Sequence, residues 1–290
     1  MIEWNVSREV FSIGPITLRW YSLMFMLAFL AGYYLTRKFF RQEGKPESDV
    51  EDLFLFTFIA TVVGARLGHV LFYSPGFYFS NPIEILKVWE GGLASHGAAI
   101  GIPIALYLYS RKRPDQPFLW VIDRVVIVVA LAGFFIRLGN LFNSEIVGSP
   151  TEMPWGFKFP LYEQMNNTQY AMNPVARHPA QLYEAIAYLL IFIFLYKIYQ
   201  SKKERTERGL LLGIFFVGIF GFRFFVEFLK EYQEAWEATI PLKMGQWLSI
   251  PFVLLGIWLI YRAKQIGEPE LPPAKPATEN NASSRKRKKR

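Results

Sequence analysis

The fold of this chain is decided by the stretch LWVIDRVVIVVALAGFFIRLGNLFNSEIVG, which runs from Leu119 to Gly148. Its first part, residues 119–141, is apolar over the length that an α-helix needs to cross a lipid bilayer. Its second part places four polar side chains where that helix would leave the hydrocarbon: Arg137, Asn140, Asn143 and Glu145. Because Asn and Glu are poor residues to expose to lipid, this polar end indicates a hydrated cavity.

Six other apolar segments of comparable length accompany this stretch in the chain. Only 19% of the residues are charged, against about a quarter in an average soluble domain, and 52% are apolar. We therefore predict an all-α, polytopic membrane protein with seven transmembrane helices. These helices are expected near residues 17–36, 51–73, 93–110, 119–141, 179–199, 209–229 and 245–262.

Basic residues are concentrated in every second connection between these segments. The positive-inside rule assigns such connections to the cytoplasm, so we predict a cytoplasmic C-terminus and an N-terminus outside. Residues 1–15 lack the pattern of a cleaved leader, so the first segment is expected to remain as a helix. The basic connections hold Arg37, Lys38, Arg41, Lys45, Arg111, Lys112, Arg113, Lys202, Lys203, Arg205, Arg208, Arg262 and Lys264.

Two regions lie outside the predicted helices. The connection at about 142–178 is rich in Pro, Asn and aromatic residues, and a connection of that length usually forms an outer cap or carries function. Residues 268–290 have no hydrophobic period and end in a basic run. We predict a membrane domain over 1–267, followed by a disordered cytoplasmic tail that is attracted to anionic lipid rather than to nucleic acid.

The chain contains no cysteine and only three histidines, His69, His96 and His178. The lack of cysteine excludes a disulfide framework, a thiolate metal site and a cysteine nucleophile supplied by this chain. The small number of histidines argues against a His-rich metal site. We therefore expect neither a metal nor a cofactor.

Ionisable residues inside the other apolar segments are the next candidates for function. Arg66 lies in the second segment, and Arg223 and Glu227 lie in the sixth, where a buried charge costs roughly 2.5–3.5 kcal/mol. Structural explanations stay open for each of them. Arg223 and Glu227 are four residues apart and would neutralise each other on one helix face. Arg66 would extend its side chain to the membrane interface or pair with Glu145.

Other residues of the spans receive structural interpretations. His69 is expected to be a packing residue, and Asp123–Arg124 is expected to lie at the membrane interface. Three pairs of glycines have the spacing of close helix contacts: Gly64 with Gly68, Gly97 with Gly101, and Gly209 with Gly213.

A Gly-rich loop, residues 91–97, leads into the third segment and presents one imidazole, that of His96. Together with the polar end of the fourth segment, it predicts a cationic, Asn-lined pocket that faces the outer leaflet. Such a pocket suits a phosphate headgroup, because Arg offers a permanently charged fork that matches phosphate oxygens.

From about Phe11 to Arg262 the sequence resembles the bacterial phosphatidylglycerol–prolipoprotein diacylglyceryl transferases. The resemblance rests on the order and spacing of short motifs, each of them weak alone. These motifs are Trp20-Tyr21, Gly64–Gly68, Val88–Gly92, Ser95-His96-Gly97, the Arg137–Gly148 block that resembles the family signature, Arg177–Glu184, Arg223–Phe228 and Met244-Gly245-Gln246.

The resemblance implies a reaction and a set of site residues. The family moves the diacylglyceryl group of phosphatidylglycerol onto the lipobox cysteine thiol of a prolipoprotein, which forms a thioether and releases glycerol phosphate. Arg137 and Arg223 would bind the phosphate, and His96 would accept the thiol proton, unless a nearby arginine lowers the thiol pKa enough to make a dedicated base unnecessary. Substrate contacts and support would come from Tyr21, Arg66, Asn140, Asn143, Glu145, Gly148 and Glu227. Of these, Glu145 and Glu227 would orient the arginines. The implied location is the bacterial cytoplasmic (inner) membrane, with the site facing the outer leaflet.

The sequence departs from the family pattern at several positions. Ile136 stands where a Gly usually precedes the signature Arg, and Ala98 replaces the second Gly after His96. Ile219 occupies a position where many members have Tyr, so a phenolic contact there cannot be carried over. Residues 228–233 differ from the common Pro-Asp form and leave the loop before the seventh segment undetermined.

Three other functions compete with this interpretation. A transporter or channel would line an anion path with the same residues, but it should show broken helices or internal repeats, and no convincing repeat is found. An intramembrane serine protease would use Ser95 or Ser144, and neither has a recognisable nucleophile setting. A CDP-alcohol phosphotransferase would need clustered aspartates in a span, and only Asp123 lies near one.

Overall fold

The computed structural model describes residues 1–269 except Pro15, residues 89–90, residues 233–236 and Ala238. The tail predicted from residue 268 onward therefore lies outside the described residues, apart from its first two. The described helices are α1 (Trp20–Gln42), α2 (Glu47–Phe72), α3 (Pro75–Ser80), α4 (Ser95–Arg111), α5 (Phe118–Phe142), α6 (Pro160–Met165), α7 (Ala180–Lys202), α8 (Leu210–Val226) and α9 (Met244–Ile266). The described strands are β1 (Ile2–Glu3), β2 (Glu9–Ile13), β3 (Ile16–Arg19), β4 (Phe157–Lys158) and β5 (Ala176–Arg177).

Among the described residues, six helices are long and apolar enough to cross a membrane: α1, α2, α5, α7, α8 and α9. Each overlaps one of the predicted segments. The predicted segment 93–110 corresponds to α4, a helix of 17 residues that is not among these six. The strands, which the all-α prediction omitted, lie before α1 and between α5 and α7. The chain is thus a mostly helical, multi-pass membrane protein.

Helices α2 and α4 approach each other closely because glycines lie on both sides of their contact. A Cβ atom on Gly97 would lie 2.1 Å from the carbonyl oxygen of Gly64, and one on Gly101 would lie 2.8 Å from that of Ala60. No real side chain tolerates such distances, so the two backbones must touch at these positions. The predicted close contacts of Gly64, Gly68, Gly97 and Gly101 are confirmed.

The third glycine pair divides into two roles. Gly213 packs against α9, where an added Cβ would lie 2.8 Å from the carbonyl oxygen of Gly256. Gly209 instead precedes α8 with a φ of +91°, a backbone conformation that side chains disfavour. The prediction of a close helix contact therefore holds for Gly213, whereas Gly209 serves to begin the helix.

Replacing Gly97 by Ala is expected to destabilise the protein by about 1–3 kcal/mol, because the added methyl forces α2 and α4 apart. Gly221→Ala is the matched control, since this helical glycine has nothing within 4 Å of its missing Cβ. Thermal unfolding of both variants in detergent measures the difference. Equal unfolding temperatures for the two would contradict the packing described for Gly97.

One end of the helix bundle is held by two buried charges on α5. Asp123 accepts hydrogen bonds from the backbone N–H groups of Gly209 at 2.6 Å and Leu212 at 2.9 Å, so it caps the start of α8. Arg124 donates to Glu43, from Nε at 3.0 Å and from Nη2 at 2.9 Å, and both side chains are 1% exposed. Helix packing thus provides both side chains with buried partners, and their expected depth at the membrane interface stays a prediction.

The opposite end is covered by residues 1–8 and 143–179, here called the cap. Its strand β1 pairs in parallel with β4, which pairs antiparallel with β5. Arg177 is buried and donates from Nε to Oε1 of Glu163 at 2.6 Å and from Nη1 to Glu231, which follows α8. A small apolar cluster of Leu141, Val147, Phe157 and Phe159 lies beneath these strands. The N-terminus, the α5–α7 connection and the end of α8 therefore meet on one side of the bundle.

Candidate active site

Arg137 lies near the cap end of α5 and is largely enclosed, with 14% of its side chain exposed. Its Nε lies 3.2 Å from Oε2 of Glu184, and its Nη1 donates to Oδ1 of Asn140 at 3.2 Å. Its guanidinium carbon lies 5.9 Å from the centroid of the Tyr188 ring. Three side chains, those of Asn140 on α5 and of Glu184 and Tyr188 on α7, therefore hold Arg137 in place.

Glu145 organises the two asparagines rather than the arginines. Its Oε1 accepts hydrogen bonds from Nδ2 of Asn140 at 2.8 Å and from Nδ2 of Asn143 at 3.2 Å. It reaches Arg137 only through Asn140. The expectation that Glu145 directly orients an arginine is therefore wrong, since its carboxylate is occupied by the two amides. Tyr21 of α1 packs on this group, because a Cβ on Gly139 would lie 2.9 Å from its ring.

Lys230, which the sequence analysis did not single out, lies beside this group. Its side chain is 2% exposed, and its Nζ lies 3.2 Å from Oε1 of Glu184 and 3.1 Å from Oε2 of Glu227. The hydroxyl of Tyr188 donates to the same Oε1 of Glu184 at 3.1 Å. Glu227 thus finds its counter-ion in Lys230, and the suggested neutralisation of Arg223 by Glu227 is wrong.

Arg223 projects from α8 toward the same region. Its charge and that of Arg137 both act electrostatically on Tyr188, so the two predicted arginines lie in one region of the bundle. Its Nε is buried and has no hydrogen-bond partner among the described residues. The ion pairs found for the described residues likewise include none with Arg223. This cation is therefore available to an anionic ligand.

Buried polar atoms without hydrogen-bond partners are concentrated around these residues. Within the described part of the chain they are Asn143 Oδ1, Ser144 Oγ, Gln181 Oε1, Glu184 Oε2, Arg223 Nε and, away from this region, Glu207 Oε2. Buried polar groups in folded proteins normally have hydrogen-bond partners. Their concentration here is typical of a site that contacts a polar ligand.

Gly148 has a structural position at the edge of this cluster. An added Cβ would lie 2.5 Å from Cβ of His178 and 2.7 Å from the carbonyl oxygen of Leu229. Its N–H donates to the carbonyl oxygen of His178 at 2.9 Å. Burial lowers the pKa of His178, which keeps this imidazole neutral at pH 7. Gly148 therefore joins the cap to the end of α8.

Arg66 binds backbone rather than Glu145. Its Nε donates to the carbonyl oxygen of Ile85 at 2.9 Å, its Nη1 to that of Gly91 at 2.6 Å, and its Nη2 to that of Glu84. The suggested ion pair with Glu145 is wrong, because the guanidinium is occupied by these carbonyl groups. Arg66 fixes the shape of the loop that leads into α4.

His96 stands at the start of α4, exposed at the end of that loop. Its ring centroid lies 5.2 Å from that of Phe72 and 5.7 Å from that of Tyr73. No hydrogen bond or ion pair among the described residues joins it to Arg137 or Arg223. His69 stacks on Tyr73 with centroids 5.3 Å apart, in agreement with the packing role predicted for it.

These contacts define a class of protein, namely a multi-pass membrane protein with a cationic polar cluster enclosed by its helices. Residues 8–262 match the family model described as prolipoprotein diacylglyceryl transferase. The chain belongs to this family, and the resemblance inferred from its motifs is confirmed.

Relatives across bacteria carry the name phosphatidylglycerol–prolipoprotein diacylglyceryl transferase. The protein from Chloroherpeton thalassium is 48% identical over 262 residues, which cover 90% of this chain and 94% of the relative. The protein from Tolumonas auensis is 45% identical over 260 residues, covering 90% of this chain and 96% of the relative. The protein from Nitrosomonas europaea is 38% identical over 265 residues, covering 89% and 91%.

Proposed function

We propose that this chain transfers the diacylglyceryl group of phosphatidylglycerol to a prolipoprotein. Its family and the names of its relatives support this reaction over transport, proteolysis or alcohol phosphotransfer. The acceptor is the thiol of the lipobox cysteine. The cysteine sulfur forms a bond to the carbon of the diacylated glycerol that carries the phosphate. The bond between this carbon and the phosphate oxygen breaks, and its electrons leave on the phosphate. The products are a thioether and glycerol phosphate.

The observation that carries this proposal is the enclosed guanidinium of Arg137, held by Glu184 and Asn140 in a region where the buried Nε of Arg223 has no hydrogen-bond partner among the described residues. A phosphate bound between Arg137 and Arg223 meets two fixed cations in a site from which water is largely excluded. Negative charge grows on the leaving phosphate as the carbon–oxygen bond breaks, and these cations stabilise it without reorganisation. Arg223, which has no ion-pair partner among the described residues, is the freer of the two.

The remaining predicted residues are assigned supporting roles. Tyr21, Asn140 and Asn143 hydrogen-bond the lipid headgroup, and Glu145 orients the two amides. Glu227 acts through Lys230, Gly148 shapes the cap side of the pocket, and Arg66 positions the loop before His96. No metal or cofactor takes part in these roles.

His96 is proposed as the base that accepts the thiol proton. A free cysteine thiol, with a pKa of about 8.5, is mostly protonated at neutral pH, so a base is needed. The exposure of His96 places it where a peptide substrate can reach it from outside the bundle. The peptide would then bring its thiol between His96 and the arginine-bound lipid.

Replacing His96 by Gln is expected to lower the transfer rate at pH 7 by about a hundredfold or more, because general base catalysis is lost. Part of the loss should return near pH 9, where the thiol ionises without help. The rate of peptide modification against pH measures this. His69→Gln is the matched control and should behave as wild type, since that ring packs on Tyr73. A wild-type rate for His96→Gln at pH 7 would assign the base elsewhere.

We further propose seven membrane crossings. The pairing of β1 with β4 requires the N-terminus and the α5–α7 connection to share one side of the membrane. An even number of crossings must separate them, and α1, α2 and α5 alone provide three. A crossing by α4 supplies the fourth, and its 17 residues span about 25 Å, at the short end of the range for membrane helices.

The orientation follows from charge. The basic connections lie at the end held by Glu43 and Arg124, so this end faces the cytoplasm and the cap faces outward. Residues 1–267 then form the membrane domain, and the basic tail lies in the cytoplasm. The protein is assigned to the bacterial cytoplasmic (inner) membrane, with its site open to the outer leaflet.

The direct test uses purified protein in detergent, phosphatidylglycerol labelled in its acyl chains, and a synthetic lipobox peptide. Label should appear on the cysteine peptide, with one glycerol phosphate released per transfer. The same peptide with serine in place of cysteine is the control and should stay unlabelled. Absence of transfer by folded protein would reject the proposed reaction, and glycerol phosphate release without peptide labelling would indicate a lipase instead.

A further inference from the structure

Lys230 is a buried cation whose only part in the reaction described above is its ion pair with Glu227. It lies just beyond the 3-10 turn Glu227–Leu229, at the cap end of the bundle. Its ammonium group lies 3.2 Å from Glu184 and 3.1 Å from Glu227, which come from α7 and from the end of α8. Burying a lysine is costly unless its charge is paired, and here two carboxylates do so. We therefore expect the charge of this ammonium group to be what it contributes to the protein.

The backbone of Lys230 is fixed from two further directions. It forms an antiparallel bridge with Gly148 of the cap. Its carbonyl oxygen accepts a hydrogen bond from Nζ of Lys243, which directly precedes α9 and also donates to the carbonyl oxygen of Glu227 at 2.8 Å. The ammonium position is therefore set by the cap, α8 and the start of α9 together.

The two carboxylates that Lys230 binds are also the anions that would compete with substrate for the arginines. Glu184 already lies 3.2 Å from Nε of Arg137. Glu227 is one helical turn from Arg223, at the spacing of a helix ion pair, yet its carboxylate contacts Lys230 instead. Arg223 has no ion pair among the described residues, and its Nε has no hydrogen-bond partner there.

We propose that Lys230 is a positioning residue that occupies Glu227 and Glu184 and thereby leaves Arg223 free for the phosphate of the lipid. This inference rests on the proposed function. Without the ammonium group, the site would be one unit more negative, and Glu227 would turn to Arg223. An anionic phosphate would then have to displace a buried carboxylate before it could bind.

Replacing Lys230 by Met, which keeps much of the side-chain length but not the charge, should reduce kcat/KM for phosphatidylglycerol about a hundredfold. Most of the loss should appear in KM, and glycerol phosphate should bind the variant more weakly by a similar factor. Lys230→Arg restores the cation and should remain within about tenfold of wild type. Lys197→Met is the matched control, since this lysine is exposed on the far part of α7.

The decisive variant combines Lys230→Met with Glu227→Gln. Removing the freed carboxylate should release Arg223, so the double variant should regain at least tenfold of the activity lost by Lys230→Met alone. The double variant also lacks the unpaired carboxylate at Glu227, which keeps the test usable if the single variant unfolds. A double variant no better than Lys230→Met, or a single variant equal to wild type, overturns the inference. Transfer by the wild-type protein in the same assay separately tests the proposed function.

Discussion

Replacing Arg137 by alanine is expected to reduce diacylglyceryl transfer by about a thousandfold or more while leaving the protein folded. Arg137 is held in the pocket by Glu184 and Asn140, each at 3.2 Å, and therefore needs no rearrangement to meet a phosphate. Loss of one fixed donor at a developing oxyanion typically costs about 10²–10³ in rate. Loss of a full charge in a site with little water adds to this effect.

Two further variants separate the effect of the charge of Arg137 from the effect of its shape. Arg137→Lys keeps the charge but loses the planar fork that binds two phosphate oxygens, so an intermediate loss of about tenfold to a hundredfold is expected. Arg205→Ala removes an exposed arginine that follows α7 and should have no effect. The measurement is kcat/KM for phosphatidylglycerol, with the unfolding temperature recorded for each variant. Activity of Arg137→Ala within threefold of wild type would remove this residue from phosphate binding.

The membrane helices could be predicted from the sequence because their signal is local. An apolar run about 20 residues long must satisfy its own backbone hydrogen bonds in lipid, so segments such as 119–141 and 245–262 coincide with α5 and α9. The strands could not be predicted. β1 and β4 have two residues each and pair Ile2 with Phe157, and no period can be recognised in so short a strand. The predicted segment 93–110 likewise does not begin and end where α4 does, because the Gly-rich loop before the helix gives no clear start signal.

Part of the candidate site could also be predicted from the sequence, again because its residues are close together along the chain. Arg137 and Asn140 are three residues apart and share a helix face, so their contact follows from helix geometry. Glu184 meets Arg137, and Lys230 meets Glu184, only through the packing of α5, α7 and α8, which no local pattern reveals. Glu184 nevertheless carried a usable signal, since it is a carboxylate inside the apolar segment 179–199. Lys230 stands one residue beyond a segment, where a lysine is ordinarily exposed.

Replacing Arg124 by Met is expected to destabilise the protein by about 3–5 kcal/mol, because it leaves the carboxylate of Glu43 buried without a counter-ion. Among the described residues, that carboxylate would keep two neutral donors, Nε1 of Trp120 at 2.8 Å and the hydroxyl of Tyr199 at 2.7 Å. Neutral donors do not repay the transfer of a full charge out of water. Thermal and denaturant unfolding in detergent measure the loss.

A second substitution decides whether this loss comes from the stranded charge or from poor packing. Adding Glu43→Gln to Arg124→Met removes the charge while keeping an acceptor for Trp120 and Tyr199, so most of the lost stability should return. A double variant as unstable as the single one would instead assign the effect to packing. Because Arg124 lies at the end of the bundle opposite the cap, the transfer rate per folded molecule should stay at the wild-type value. A folded Arg124→Met protein as inactive as Arg137→Ala would mean that the two ends of α5 are coupled, which the contacts of neither arginine predict.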